Sequence, residues 1–206
     1  MRDNYMSIKT VRFLFDYNSP YAYFASLQVE AICGRHGAEI QWEPIVLGGI
    51  FKEDNTTPAH AIEKRRRYVM QDLINLSEVY GLPYKERTTF LFNPILAMRA
   101  TLQVDQGEPR AKAVHSLFSG AFERDLDLGD SDTVAMLLNE AGLDGAALVE
   151  GSQQQWVKDA LKKSTDDALA AGVFGAPTCI LDDGRMFWGH DRLKVLDYFL
   201  EKSKND

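Results

Sequence analysis

The stretch Asp16-Tyr17-Asn18-Ser19-Pro20-Tyr21-Ala22-Tyr23 marks a change of backbone form that the rest of the chain has to accommodate. Before it, residues 11–15 are nearly all apolar; after it, Phe24, Leu27 and Ala31 recur at spacings of three and four, the repeat of a helical face. The reading is a strand over residues 11–17 feeding a helix over residues 20–36, with Ser19 as its N-cap and Pro20 as its first residue. A serine oxygen accepts an orphan amide of a first turn, and proline gives up no hydrogen bond there. Gly37 suits the other end of the helix as a C-terminal cap.

Residues 39–43, Glu-Ile-Gln-Trp-Glu, alternate polar and apolar as a half-buried strand does, and Pro44 with Gly48-Gly49 closes it. Strand, crossover helix and strand make a βαβ unit with parallel strands. Residues 52–58 turn polar, and a helical pattern then runs for about a hundred residues. Within it Ile62, Val69, Leu73, Leu76 and Tyr80 share a face that ends at Gly81, and a Phe90 to Pro94 link leads to a helix through Leu96 and Ala100. Val114, Leu117, Phe118, Ala121 and Phe122 form a core-facing stripe, residues 131–141 a shorter helix, and Ser152 caps a long helix that ends at Gly172. Sheet returns at residues 178–181 and 186–188 around an Asp182-Asp183-Gly184 turn, with Asp191 placed to cap a terminal helix. The order β-α-β, helical block, β-β-α is an α/β arrangement of thioredoxin type with a large inserted helical domain: residues 8–58 and 170–206 form the thioredoxin-like part, and 59–169 the insert.

A balance of 23 basic against 30 acidic residues, net −7, argues against nucleic acid or an anionic membrane as a partner, since both need clustered positive charge. The basic run Lys64-Arg65-Arg66-Arg67 reads as a solvated helix face from which one cation can still reach a small anion. Neither a signal-peptide pattern nor an apolar run of bilayer length is present, so a cytoplasmic protein is expected. Cys33 and Cys179 each sit in an apolar pattern and read as buried, reduced thiols.

Ser19 as an acyl-transfer nucleophile would need the amide of the next residue for its oxyanion hole, and Pro20 has none. His36, His60, His115 and His190 are isolated from one another, so no metal-ligand spacing appears, and no glycine-rich phosphate loop is present. Ser19 and Ala22 stand where a disulfide oxidoreductase would carry its cysteine pair. What remains is a hydroxyl at a helix N-terminus whose free amides, at Tyr21 and Ala22, favour an adjacent negative charge. A serine there can hold the thiolate of another molecule's cysteine, and glutathione is the obvious source in a cytosol.

Four stretches in order resemble the 2-hydroxychromene-2-carboxylate isomerases, relatives of the kappa-class glutathione transferases and DsbA oxidoreductases: residues 16–23, Asn55-Thr56, residues 172–178 and residues 187–193. The resemblance spans nearly the whole chain. It implies glutathione as cofactor, with Ser19 at its sulfur, Ala176 and a cis Pro177 along its backbone, and Trp188-Gly189-His190-Asp191 at its glutamyl end. His190 departs from the Asn or Ser of the family pattern. The resemblance further implies Asn55, Thr56 and Asn93 as contacts for a small aromatic substrate, with Tyr21 and Phe92 against its ring, and a homodimer. The implied reaction is isomerisation of an aromatic-degradation intermediate by reversible thiolate addition. A kappa-type transferase that releases a glutathione adduct, and a non-catalytic binding protein of the same fold, are the alternatives.

Overall fold

The computed structural model describes residues 10–87 and 91–203, without the side chain of His60. The outer domain limits expected at residues 8 and 206, Phe90 of the link and the His60 side chain therefore fall outside the described residues.

Strand β1, Thr10–Phe15, pairs in parallel with β2, Glu39–Pro44, from Thr10↔Glu39 to Phe15↔Pro44, and helix α1, Pro20–His36, is the crossover between them. On its other edge β1 takes β3, Thr178–Leu181, antiparallel from Val11↔Leu181 to Leu14↔Thr178, and β4, Met186–Trp188, pairs antiparallel with β3. The sheet order is β2-β1-β3-β4. Strand β1 stops two residues before the 17 expected, because Asp16 and Tyr17 leave the ladder for other partners. The Asp16 carboxylate accepts from the Asn18 and Leu47 amides, and the Tyr17 hydroxyl lies 2.7 Å from Thr101 Oγ1.

Helix α1 starts and ends where its caps place it. Ser19 is extended, at φ −94° and ψ 104°, and its Oγ accepts from Ala22 N at 3.2 Å. Gly37 takes the left-handed conformation at φ 66°, where a Cβ would be strained, and its N–H returns to Cys33 O and Gly34 O.

The described residues continue through α2 (Leu47–Glu53), a single 3-10 turn (Ala59–Ala61), α3 (Glu63–Tyr80), α4 (Ile95–Leu102), α5 (Glu108–Phe122), α6 (Ser131–Glu140), α7 (Gly145–Gly151), α8 (Gln155–Ala170) and, after the hairpin, α9 (Leu193–Lys202). Four of these depart from the sequence reading, α7 among them, since the sequence assigns no element to residues 145–151. Where Gly48-Gly49 reads as a turn, α2 forms. Ser152 does not cap α8: it ends α7, buried, with its Oγ donating to Val149 O at 2.6 Å, and Gln154 is the N-cap of α8. Asp191 lies in a 3-10 turn, His190–Arg192, and Arg192 rather than Asp191 occupies the N-cap of α9.

Period two along β1 separates the two faces of the sheet. Phe13 and Phe15 join Trp42, Tyr17 and Phe118 in the main core, with the Phe13 ring edge-on to Trp42 at 5.2 Å and Tyr17 edge-on to Phe118 at 4.9 Å. Each such ring contributes roughly 1.5–3 kcal/mol by leaving water, and its aromatic pair somewhat more. Leu14 faces the other way, toward Ile45, Ile50 of α2, Ala168 of α8 and Ile180. On that face Arg12 forks onto Glu43 of β2 through two bonds of 2.7 Å. The main core runs on into α3–α6, so the inserted helices and the sheet share buried contacts. Cys33 and Cys179 are both free and buried, and burial pushes the Cys33 thiol up to about 12.

Candidate functional site

The loop between β1 and α1 is folded by its own residues. Ser19 N donates to Asp16 O at 2.9 Å, and Asn18 N to Asp16 Oδ1 at 2.8 Å, which turns the chain sharply before the helix. Asn18 also reaches across the molecule: its Nδ2 donates to Phe92 O at 3.0 Å, and its Oδ1 accepts from Phe92 N at 3.3 Å. This reciprocal pair fixes Phe92 beside the loop.

Ser19 is only 6% exposed. Its Oγ donates to Ala176 O at 3.0 Å, so the first helical turn is tied to the residue before Pro177. The Ala176-Pro177 bond is cis. The Ala22 amide is not free, contrary to the expectation from sequence: it is 3.0 Å from Ser19 O and 3.2 Å from Ser19 Oγ. Tyr23 N also goes to Ser19 O, at 3.2 Å. Among the described residues the Tyr21 amide alone of this turn is left without an acceptor, since Pro20 carries no N–H.

Ser19 and Ala176 border a groove of about 390 Å³, a volume in the range of small-molecule sites. Its walls are mostly apolar. Leu47 and Phe51 come from α2, Val69 from α3, and Phe174 and Trp188 from either side of β3. The Phe174 and Trp188 rings meet edge-on at 4.7 Å, each about half exposed. Gly175 lies beneath that pair, where a Cβ would fall 2.4 Å from Trp188 Nε1. Among the described residues Arg65 is the one cation that lines the groove, and it makes no ion pair, whereas Arg66 and Arg67 both pair with Glu63.

Of the residues singled out from sequence, the structure brings Ser19, Tyr21, Thr56, Ala176 and Trp188 to this groove, while Phe92 packs beside the Ser19 loop and does not line it. Asn55 is exposed, in the left-handed region at φ 53°, directly before Thr56. Asn93 is exposed and spends its Oδ1 on Ile95 N at 3.2 Å, at the start of α4. Pro177 is buried behind Ala176, and its carbonyl accepts from Gly189 N at 2.9 Å. His190 and Asp191 face a neighbouring cavity of about 490 Å³ between α1 and α9, whose lining includes Arg35 and Lys194.

The boundary between the two spaces is aromatic. The His190 ring stacks on Tyr21 at 5.1 Å and 9°, and Tyr80 meets it edge-on at 6.3 Å. Burial holds the His190 imidazole below its ordinary pKa, against the opposing pull of Asp191 and Asp72. The Tyr21 hydroxyl donates to Asp72 Oδ2 of α3 at 2.8 Å, and burial together with that carboxylate raises the phenol. Asp191 pairs with its neighbour Arg192 at 3.1 Å.

Sequence reasoning missed Leu47 and Phe51, because α2 was not expected, and Asn18, whose only signal was its place inside the conspicuous loop. Arg65 was visible as one of four cations, and Phe174 as the residue before Gly175-Ala176-Pro177.

A DSBA-like thioredoxin domain matches residues 10–201. The chain belongs to this family. It is 29% identical over 196 residues to the 2-hydroxychromene-2-carboxylate isomerase of Sphingobium xenophagum, an alignment that covers 93% of this chain and 98% of that protein. It is 25% identical over 208 residues to glutathione S-transferase kappa 1 of Rattus norvegicus, covering 93% and 91%. Among solved structures, a 2-hydroxychromene-2-carboxylate isomerase superposes with a TM-score of 0.86 over 94% of this chain and 95% of that one, at 22% identity. The chain is thus related to enzymes of both kinds, and its β-α-β and β-β-α parts with inserted helices are the DsbA-like form of the thioredoxin fold.

Proposed function

We propose that the chain is a glutathione-dependent isomerase of 2-hydroxychromene-2-carboxylate-type aromatic degradation intermediates. The observation that carries this reading is the Ser19 hydroxyl, which sits at the N-terminus of α1, donates to Ala176 O at 3.0 Å and lines an apolar groove. The residues suit a thiolate ligand. The Tyr21 amide lacks an acceptor among the described residues, the helix dipole favours an anion by roughly 0.3–1 kcal/mol, and Ser19 has a proton it can redirect.

When bound, glutathione supplies a thiolate that adds reversibly to a conjugated double bond, frees rotation about it and departs unchanged. The chain's own residues do the rest. Ser19 turns its O–H from Ala176 O toward the sulfur and stabilises the negative charge there. Ala176, ahead of the buried Pro177, offers its backbone to the tripeptide, while Trp188, Gly189, His190 and Asp191 hold its glutamyl end. Arg65 supplies positive charge to the lining of the groove. Leu47, Phe51, Phe174 and Trp188 exclude water and orient the substrate ring, with Asn55, Thr56 and Asn93 at its polar end.

Two measurements test the reading. Glutathione at a hundred times its Kd should add about 2.7 kcal/mol of stability, which for a chain of this size raises Tm by roughly 5–10 °C. No shift at millimolar glutathione would sink the proposal. Product analysis with a hydroxychromene substrate should then show isomer formed and glutathione conserved. The kappa-transferase relative favours a second reading, in which glutathione is consumed into an adduct. A homodimer belongs to this proposal as well, and a sedimentation mass of one chain, 23.2 kDa, at micromolar concentration would remove it.

A further inference from the structure

Asp16 is a charged side chain for which the proposed mechanism has no use, yet it is 3% exposed and lies three residues before Ser19. Its two carboxylate oxygens serve two different segments. Oδ1 accepts from Asn18 N at 2.8 Å, inside the loop that carries Ser19, and Oδ2 accepts from Leu47 N at 2.9 Å, the first amide of α2. Helix α2 has no side-chain cap of its own, because its N-cap is Val46. The approach to it is held by three successive amides with three separate acceptors: Ile45 N on Phe15 O at 2.8 Å, Val46 N on Thr165 Oγ1 at 3.1 Å, and Leu47 N on Asp16. Of these acceptors only Asp16 also binds the Ser19 loop.

We propose that Asp16 is a positioning residue, whose buried carboxylate locks the Ser19 loop to the start of α2 and so sets the distance between the groove floor and its Leu47–Phe51 wall. The inference rests on the reading of the groove as the glutathione site. The chemistry of the group suits this role, because a carboxylate accepts two amides at once and its negative charge lies at the positive end of α2. An amide in its place accepts with one atom and presents N–H groups with the other, so one of the two buried backbone donors loses its partner. The Asp16 carboxyl is raised to about 6, by burial first, with the Asn18 and Leu47 amides pulling the other way. The groups that face its carboxylate are thus one amide from its own loop and one from α2, while the neighbouring Val46 amide is taken by Thr165 of α8.

The test begins with the unaltered protein. In a pH series followed by amide NMR, the Asn18 and Leu47 signals should titrate with one common midpoint, and the Phe51 and Thr56 signals should follow at that midpoint. Wall signals that stay fixed while the two amides titrate would overturn the proposal. Next, Asp16→Asn should weaken glutathione binding about tenfold, as expected when one buried donor is orphaned, while Asp16→Glu restores part of the loss. An Asp16→Asn protein that folds and binds glutathione as the parent does also overturns it. If the parent itself binds no glutathione, the functional reading falls, and the coupled NMR titration still decides the role of Asp16.

Discussion

Ser19 has a structural duty as well as the proposed chemical one, and the two separate under substitution. Ser19→Ala removes the acceptor that Ala22 N uses, at a cost of about 1 kcal/mol, so Tm should fall by roughly 2–4 °C. If the hydroxyl also stabilises the bound thiolate, isomerisation should fall by roughly a hundredfold or more while glutathione affinity changes much less. Equal turnover by the variant and the parent would return Ser19 to a cap and nothing else. Asp16 gives a pH signature. Its folded pKa, about 6, lies above the ordinary 3.8, so the folded state holds the proton more tightly than the unfolded one. The stability this contributes is fully present below about 3.8 and is lost as pH rises toward 6, a change of about 3 kcal/mol by linkage. Denaturant unfolding of Asp16→Asn should lack that part of the slope. At Gly175 the chain admits no side chain beneath Trp188, and a methyl there drives the half-exposed indole outward. Gly175→Ala should shift Trp188 fluorescence and weaken ligand binding with little change in Tm; unchanged emission and affinity would mean that the indole does not shape the groove.

Elements with local signals at both ends are legible from sequence, and those capped from a distance are not. Helix α1 has Ser19-Pro20 at one end and Gly37 at the other, and its limits follow from those residues. Strands β3 and β4 are bounded by Pro177, the Asp183-Gly184 turn and Gly189, and fall where the apolar runs are. Helix α2 carries two glycines in its first turn and draws its capping acceptor from Asp16, 31 residues earlier, so nothing local announces it. Leu47 and Phe51, and with them one wall of the groove, are hidden for that reason. Ser152 misleads because a serine before a helical stripe resembles an N-cap, while its actual bond runs back to Val149 in α7. The Ser19, Ala176-Pro177 and Trp188 parts of the site are legible only through the family resemblance, since each alone is an ordinary cap, edge proline or aromatic. Packing between elements is likewise silent in the sequence. Gly145, at the start of α7, lies so near α6 that a Cβ would stand 2.1 Å from Ala135 O, a backbone atom unable to swing aside. Gly145→Ala should lower unfolding stability by about 1–3 kcal/mol through overpacking. Because the α6–α7 contact lies apart from the groove, glutathione affinity should be unchanged, and a matching loss of both would show the helical block to be coupled to the site.

At the scale of the whole molecule, sheet and inserted helices share one main core, so unfolding should be a single transition by fluorescence and by circular dichroism. Two separated transitions would instead show that the insert melts on its own. The strand order β2-β1-β3-β4 has a further consequence for how the molecule comes into being. The central strand emerges first and its second neighbour nearly last: Ser19 Oγ meets Ala176 O across 157 residues of chain. At ribosomal rates of roughly 5–20 residues per second, β1 waits on the order of ten to thirty seconds with one edge bare. For that interval the nascent chain is a half-sheet open to chaperones or to a neighbouring polypeptide, and no truncated product ending before β3 can carry the groove.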